Sequence, residues 1–320
     1  MKSFLLLAIT NLAVVALLMI MFFLLSPFLE QYGITSNETV TLGIFSLIFG
    51  FTGSFISLLL SKTVAKTTMG LQMIDPNAPR NEAERWILNT TYKLADAANV
   101  KRPEVGIFQG APNAFATGPS KNNSLVAVST GLLQSMNKDE VEAVIGHEMS
   151  HIKNGDMVTM TLLQGVLNTF VIFLSRLIGR AVARDNRGGG FMYFGVYFVL
   201  QTFLGGIATL IICWYSRRRE FRADSGSADL LQNNQSMIDA LSVLGGLKDS
   251  AKLPSGFAAF GICFGGVLST HPPIEKRIAS LQNWRANPKN FERPQVTQTQ
   301  VSQSKNKPQN KDFDRSGFFK

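Results

Sequence analysis

Residues 137–156 read NKDEVEAVIGHEMSHIKNGD and contain the clearest local structural signal in this 320-residue chain. Asn137, followed by Glu140, forms the capping-box pattern with which many α-helices begin. Apolar residues then recur at helical spacing, at Val141, Val144, Ile145, Met149 and Ile152. The pair Asn154-Gly155 is a typical helix end, so the sequence predicts one helix between this cap and this stop.

The predicted helix contains two histidines one turn apart. His147 and His151 stand at i and i+4, so both imidazoles lie on one face and reach a single zinc ion at about 2.0–2.1 Å. Glu148 adjoins that face and is placed to accept a proton from a water molecule whose pKa zinc lowers to about 7. The whole chain has only 3 histidines. The pattern therefore predicts a hydrolase with one Zn²⁺ per chain and Glu148 as its general base.

A catalytic zinc ion typically takes a third protein ligand, and the residues alone leave its identity open. His271 and Glu220 are the candidates, whereas Cys213 and Cys263 lie within apolar runs. Glu220 has an equally good alternative role as an ion-pair partner in a solvated Arg-rich helix. For His271, which precedes two prolines, we expect hydrogen-bond donation to the oxyanion on the scissile carbonyl, and the alternative is a turn residue. Arg277 either shares that role or pairs with a carboxylate.

Apolar runs long enough for a bilayer organise the rest of the chain, which is 46% hydrophobic and 17% charged. The runs are Phe4–Leu25, Val40–Leu60, Met157–Ser175 and Phe191–Tyr215. The sequence predicts two transmembrane helices in residues 1–60, the first a retained anchor, and a transmembrane pair or a hairpin in residues 157–215. Phe257–Leu268 is too short to span, which favours a buried or interfacial helix.

Charge placement predicts the orientation of these segments. Lysines flank the first two spans, and the charged residues between the spans are Glu30 and Glu38. The positive-inside rule therefore puts the N-terminus and residue 61 onward in the cytosol. If both later runs cross, the arginine-rich link from Arg176 to Arg187 lies outside, against that rule, and a hairpin is the alternative. The net charge of +9 favours anionic lipid headgroups over nucleic acid as a partner.

Residues 61–156 and 216–287 are predicted to form a cytosolic α+β metalloprotease domain, and residues 288–320 a disordered tail. A helix is expected at Asn81–Ala98. Three short β-prone runs, Val105–Phe108, Asn113–Thr117 and Leu125–Ser129, predict a small sheet. The middle run, with Asn113, Ala114, Phe115 and Ala116, is either an ordinary strand or an edge strand that binds substrate by strand addition.

Four segments together resemble the HtpX family of bacterial membrane metalloproteases, which is related to the CAAX prenyl endopeptidases. They are HEMSHIKNGD at 147–156, SRRREFRADSGSA at 216–228, STHPPIEKRI at 269–278 and PNAFATG at 112–118. The resemblance extends to about Trp284. It implies zinc ligation by His147, His151 and Glu220, general-base catalysis by Glu148, and support of the zinc helix by Asp224. It also implies proteolytic quality control of inner-membrane proteins, a stress response, with the active site facing the cytosol.

The expected fold is a mostly α membrane protein with a zincin-like α+β cytosolic metalloprotease domain. The expected substrates are misfolded membrane proteins or unfolded polypeptides, and the sequence gives no oligomeric state. One alternative is a CAAX-type prenyl endopeptidase, although that family has more membrane spans than are visible here. A second is a non-catalytic membrane protein that binds partners and has a structural zinc site. Glu148 speaks against it, because a structural site needs no base and normally closes with four protein ligands.

Overall fold

The computed structural model of the chain describes residues 36–183, 189–250 and 271–285. Its helices are α1 (Ser36–Thr68), α2 (Glu82–Ala97), α3 (Thr130–Ser135), α4 (Lys138–Asn154), α5 (Asp156–Ala183), α6 (Gly189–Leu231), α7 (Gln235–Ser250) and α8 (Ile274–Gln282). Its strands are β1 (Gln72–Met73), β2 (Glu104–Phe108), β3 (Ala114–Ser120) and β4 (Asn123–Ser129). The predicted span Phe4–Leu25, the short apolar run Phe257–Leu268 and the predicted tail lie outside the described residues.

Within the described ranges, 3 helices are long and apolar enough to cross a membrane, namely Asn37–Thr68, Asp156–Val182 and Gly190–Leu231. They contain the second, third and fourth predicted apolar runs. Many of their large apolar side chains are exposed, as expected of a surface that faces lipid. The prediction of a mostly α membrane protein is confirmed. The fourth apolar run and the arginine-rich segment after residue 215 form one helix, because α6 continues to Leu231.

Contacts divide the chain into two compact units. The first takes in the described residues up to Leu60, Gly155–Arg218 and His271. In this unit α1 packs against α5, and the contacts run in opposite directions along the two helices. Leu42 forms a buried cluster with Phe173 and Leu177, and Phe51 forms another with Leu162. These apolar clusters hold the helix pair together.

The second unit takes in Ser61–Asn154, the chain from Arg219 and the chain from Pro272, within the described residues. It contains a mixed sheet of order β1-β2-β4-β3, in which β2 and β4 are parallel and the other pairs antiparallel. The three β-prone runs all form strands, and β3 is an edge strand of this sheet, as the sequence allowed. Leu125, Val126, Ala127 and Val128 of β4, one of the two inner strands, are fully buried in the core.

Helix α4 forms with the cap and the stop that the sequence predicts. The backbone N–H of Glu140 donates to Asn137 Oδ1 (3.0 Å), and the N–H of Asn137 donates to Glu140 Oε2 (2.8 Å). These two bonds satisfy donors that the first helical turn leaves unpaired. Gly155, with φ of 70°, ends the helix in the left-handed region that favours glycine. The predicted apolar face of α4 is buried, from Val141 to Ile152.

Candidate metal centre

Three side chains of the second unit place one ligand atom each around a common point. His147 and His151 come from α4, and Glu220 comes from the C-terminal part of α6. Their ligand atoms all lie within 4.8 Å of one another. The structure thus brings together the two histidines of the sequence motif and the carboxylate that the resemblance implied.

The separations between these atoms match a tetrahedral zinc site. Nε2 of His147 is 3.2 Å from Nε2 of His151 and 3.6 Å from Oε2 of Glu220, and Nε2 of His151 is 3.4 Å from Oε1 of Glu220. Zinc bonds of about 2.0–2.1 Å at tetrahedral angles require ligand atoms about 3.3–3.4 Å apart. Three electron-pair donors aimed at one point repel one another unless a cation lies between them. The donor set therefore fits a small divalent metal ion.

The site exists because α4 and the end of α6 run antiparallel at very short distance. A Cβ atom added at Gly146 would lie 2.8 Å from Ser227 Oγ, and one at Gly226 would lie 2.9 Å from Ser150 Cβ. Ser227 also donates a hydrogen bond of 2.6 Å to the carbonyl of Ala143. Along the crossing, Ala143 lies opposite Ser227, His147 opposite Asp224, and His151 opposite Glu220.

Asp224 holds the ring of His147 through the nitrogen that does not face the cluster. His147 Nδ1 lies 2.9 Å from Asp224 Oδ1, which leaves Nε2 for a metal. A carboxylate on the second nitrogen fixes the tautomer and the ring orientation of a ligating histidine. Asp224 is only 1% exposed. Its position on α6, one turn after Glu220, lets a single helix supply one candidate ligand atom and the hydrogen-bond partner of another.

Arg277 of α8 closes this arrangement from a third helix. Its Nε and Nη2 atoms donate to the two oxygens of Asp224 at 2.8 and 2.6 Å, and its Nη1 lies 3.4 Å from Glu220 Oε2. Of the two roles open to Arg277 in the sequence, the structure thus gives it carboxylate partners. A bidentate arginine fixes both the position and the charge of a buried carboxylate.

The buried charges of the cluster favour a bound cation or a proton. Glu220 and Asp224 contribute two negative charges and Arg277 one positive charge, so one negative charge remains. Burial alone lowers the pKa of His147, but hydrogen bonds with Asp224 and Glu220 outweigh it and raise that pKa to about 10. A proton on His147 then supplies the missing charge. A metal ion must displace this proton, as ligating histidines are neutral.

Glu148 adjoins the cluster without being part of it. It follows His147 on α4 and is half-buried. It contributes no atom to the group of candidate ligand atoms. Burial lowers the pKa of Arg277, but the carboxylate of Asp224 outweighs it, and the nearby charges of Glu220 and Glu148 raise that pKa further.

The remaining predicted site residues have less specific surroundings. His271 is exposed and falls within the first unit, so its role as an oxyanion donor stays a prediction. Asn113 precedes β3, and its backbone N–H and carbonyl both bond Ser129 at the end of β4. Ala114, Phe115 and Ala116 are half-buried on the edge strand. Their role in substrate binding stays a prediction as well.

Sequence reasoning missed the close crossing that unites the ligands. The small residues of SGSA at 225–228 gave a usable signal, because small side chains every few residues permit helices to approach closely. It also missed Lys121, whose amino group binds the carbonyl of Lys153 near the C-terminal end of α4. A cation at that end complements the helix dipole, and nothing local in the sequence indicates the pairing.

Comparison with known proteins identifies a family and several relatives that this chain resembles. Residues 81–285 match the sequence profile of Peptidase family M48. The chain is 52% identical over 295 residues to "Protease HtpX homolog" of Bordetella avium (strain 197N), which covers 89% of this chain and 99% of that protein. It is 54% identical over 296 residues to the protein of the same name from Variovorax paradoxus (strain S110), covering 89% and 100%. The crystal structure of S. mikatae Ste24p has a TM-score of 0.57 at 17% identity, covering 88% of this chain and 66% of that chain, which shows a shared fold.

Proposed function

The chain belongs to peptidase family M48, and from that membership we propose that His147, His151 and Glu220 hold one zinc ion for the hydrolysis of peptide bonds. The resemblance to the HtpX family is confirmed, and the protein is a membrane metalloprotease. The observation that carries the proposal is the spacing of 3.2 to 3.6 Å between the three ligand atoms. Two imidazoles and one carboxylate are a donor set of catalytic zinc sites.

Each residue of the site has a separate role in hydrolysis. A zinc ion, when bound, supplies Lewis acidity that polarises the scissile carbonyl and makes a water molecule more acidic. Glu148 accepts the proton of that water at its carboxylate and then returns it to the leaving amine. Asp224 keeps His147 in the tautomer with a free Nε2, and Arg277 keeps Asp224 ionised and in place. The half-buried surroundings of Glu148 limit competition from bulk water.

The proposal is tested by replacing the base and measuring metal and turnover separately. Glu148→Gln keeps the shape of the side chain but cannot take a proton, so turnover of an unfolded protein substrate should fall by roughly 10²–10⁴ at unchanged zinc content. Glu142→Gln is the matched control, because Glu142 lies on the same helix and only pairs with Lys93 at 3.0 Å. Near wild-type cleavage by Glu148→Gln would exclude this mechanism.

His271 is proposed to donate a hydrogen bond to the oxyanion on the scissile carbonyl. The support is chemical, because the imidazole can donate in either charge state and the two following prolines stiffen its backbone. In the assay used for Glu148, His271→Ala should lower turnover by about 10²–10³ at unchanged zinc content. Loss of zinc would instead make it a ligand, and unchanged turnover would leave it a turn residue.

Substrates are proposed to be unfolded polypeptides or misfolded membrane proteins that pair with the edge strand β3. An edge strand presents unpaired backbone groups, so an extended peptide can bind with little regard to its sequence. The half-buried side chains of Phe115 and its neighbours would then contact alternate substrate residues. Such recognition suits proteolytic quality control, in which many different chains must be cleaved.

The protein is proposed to lie in the bacterial inner membrane with its metal centre facing the cytosol. The support is the charge pattern, with lysines after the second span and acidic residues before it. In a chain with Cys213 and Cys263 replaced by serine, Asn37→Cys should react with an impermeant thiol reagent added outside, and Asn122→Cys only after lysis. The reverse pattern would invert the protein. Gly190→Cys should react from outside if α5 and α6 both cross, and its protection would indicate a hairpin.

A further inference from the structure

The first unit contains a cavity of about 420 Å³ that no part of the proposed proteolytic mechanism uses. It lies between the beginning of α1 and the last turns of α5. It is lined by Asn37, Glu38, Thr41, Leu42, Phe45, Arg176 and Arg180. Two arginines in a predominantly apolar helix pair are costly, and ionisable residues in such segments commonly mark a functional site.

The position of Arg176 along α5 places it at the level of lipid headgroups. Twenty residues separate it from Asp156, where α5 begins. At about 1.5 Å per residue this is about 30 Å, the thickness of the hydrocarbon core. If Asp156 lies at one surface, the guanidinium of Arg176 lies near the phosphates of the opposite leaflet. Arg180 follows one turn later on the same face.

The guanidinium of Arg176 is held in place by aromatic rings. Its central carbon lies 4.2 Å from the ring centroid of Phe45 and 5.8 Å from that of Tyr197. Stacking on a ring orients a guanidinium and leaves its N–H groups directed sideways. Among the described residues, its buried Nε atom has no hydrogen-bond partner. An oriented cation with a donor to spare is suited to an anionic ligand.

The surface beneath the cavity is apolar. Leu42 packs with Phe173 and Leu177 in a buried cluster at its floor. Large apolar side chains of the same two helices are exposed beside the cavity, at Val40, Ile44, Ile178 and Val182, and deeper along α1, at Ile48 and Phe49. A polar cavity above an exposed apolar helix surface has the shape of a site for a molecule with a charged head and hydrocarbon chains.

We propose that this cavity binds the phosphodiester group of a membrane phospholipid, with Arg176 and Arg180 as the donors to phosphate. Two arginines and Glu38 leave one net positive charge, which matches the single negative charge of a phosphodiester. Asn37 and Thr41 add neutral hydrogen-bonding groups at the rim. Arginine is well suited to phosphate, because its planar fork donates two parallel bonds. Such a ligand also explains arginines on a side where the positive-inside rule disfavours them.

In the test, the full chain is first delipidated in detergent. Retention of added probes is then measured by native mass spectrometry. Three probes separate the sources of the ligand: phosphatidylglycerol, diacylglycerol that lacks the phosphate, and inorganic phosphate that lacks the chains. Wild type should retain one phosphatidylglycerol, reject diacylglycerol, and keep the lipid in millimolar phosphate. Arg176→Gln and Arg180→Gln should each lower the affinity roughly tenfold or more. Arg102→Gln, which removes an arginine from the second unit, should change nothing.

Several outcomes would overturn the proposal. They are equal retention of phosphatidylglycerol by the Arg176→Gln, Arg180→Gln double variant, equal retention of diacylglycerol by wild type, and displacement of the lipid by inorganic phosphate. Metal content reports the integrity of the second unit in each variant. If the double variant does not fold, Arg180→Gln alone decides, because Arg180 is exposed and its removal leaves no buried gap.

Discussion

The helix pair α1–α5 of the first unit and the pair α4–α6 of the second unit share one packing feature. Both run antiparallel, and both approach closely at a glycine: an added Cβ would lie 2.8 Å from the Cα of Thr169 at Gly50, and 2.9 Å from the Cβ of Ser150 at Gly226. Between α1 and α5 lie leucines and phenylalanines. Between α4 and α6 lie two histidines and two carboxylates.

This difference shows which residues set the distance between two helices and which set the chemical character of their contact. Small residues fix how closely two helices approach, whatever lies beside them. The side chains that flank the crossing then determine whether the contact is an apolar helix pair or a candidate metal site. In the second pair the short distance is essential, because ligand atoms must meet at about 3.3–3.4 Å around one ion. In the first pair a small displacement would only loosen apolar packing.

The largest effect is expected from removing Glu220, the proposed ligand on α6. The α4–α6 pair then lacks a complete metal site. Structural zinc sites with four ligands bind with roughly 10–16 kcal/mol, so one ligand contributes roughly 2.5–4 kcal/mol, or about a hundred- to a thousandfold in affinity. Glu220→Ala should therefore lose zinc on dialysis against a chelator and lose turnover with it. Zinc held as tightly as in wild type would remove Glu220 from the ligand set. Glu142→Ala on α4 is the control.

A smaller effect should follow from the buried carboxylate that orients His147. Asp224→Asn keeps the shape but weakens the bonds to His147 and Arg277, and should lower zinc affinity about 10–100-fold. Asp96→Asn is the matched control, because Asp96 binds Arg102 in the same bidentate way, at 2.8 and 3.1 Å, but on the surface. An exposed pair contributes about 0–1 kcal/mol to stability, and Asp96 touches no metal ligand. Equal zinc affinity in both variants would contradict the role of Asp224.

The smallest effect, and the most direct test of the comparison, comes from adding one methyl group to each crossing. Overpacking typically costs about 1–3 kcal/mol, so Gly226→Ala and Gly50→Ala should both lower thermal stability. Gly226→Ala should also weaken zinc binding, since it separates the helices that hold His147 and Glu220. Gly50→Ala should leave zinc binding unchanged. Gly205→Ala, where nothing lies within 4 Å of the added atom, is the neutral control.

Local patterns predicted much of the second unit because they depend on neighbouring residues. The helix α4 follows from a capping box, a helical apolar period and a terminal glycine. The strands follow from short β-prone runs bounded by turn residues. The third ligand did not follow from such reasoning, because a glutamate among arginines on a helix has the same local pattern whether it is solvated or buried. Only the family resemblance pointed to Glu220, and the structure shows it 3% exposed.

The sequence by itself determined the helix with His147, Glu148 and His151 and the membrane character of the chain, since helical period and apolar length are properties of consecutive residues. Tertiary structure decided which distant groups complete the site. The crossing at Gly146 and Gly226 brings α6 against α4, and Arg277 reaches Asp224 from a third helix. These contacts depend on distances between segments far apart in the chain, which no local pattern fixes. The excess negative charge that favours a bound cation arises only when those segments meet.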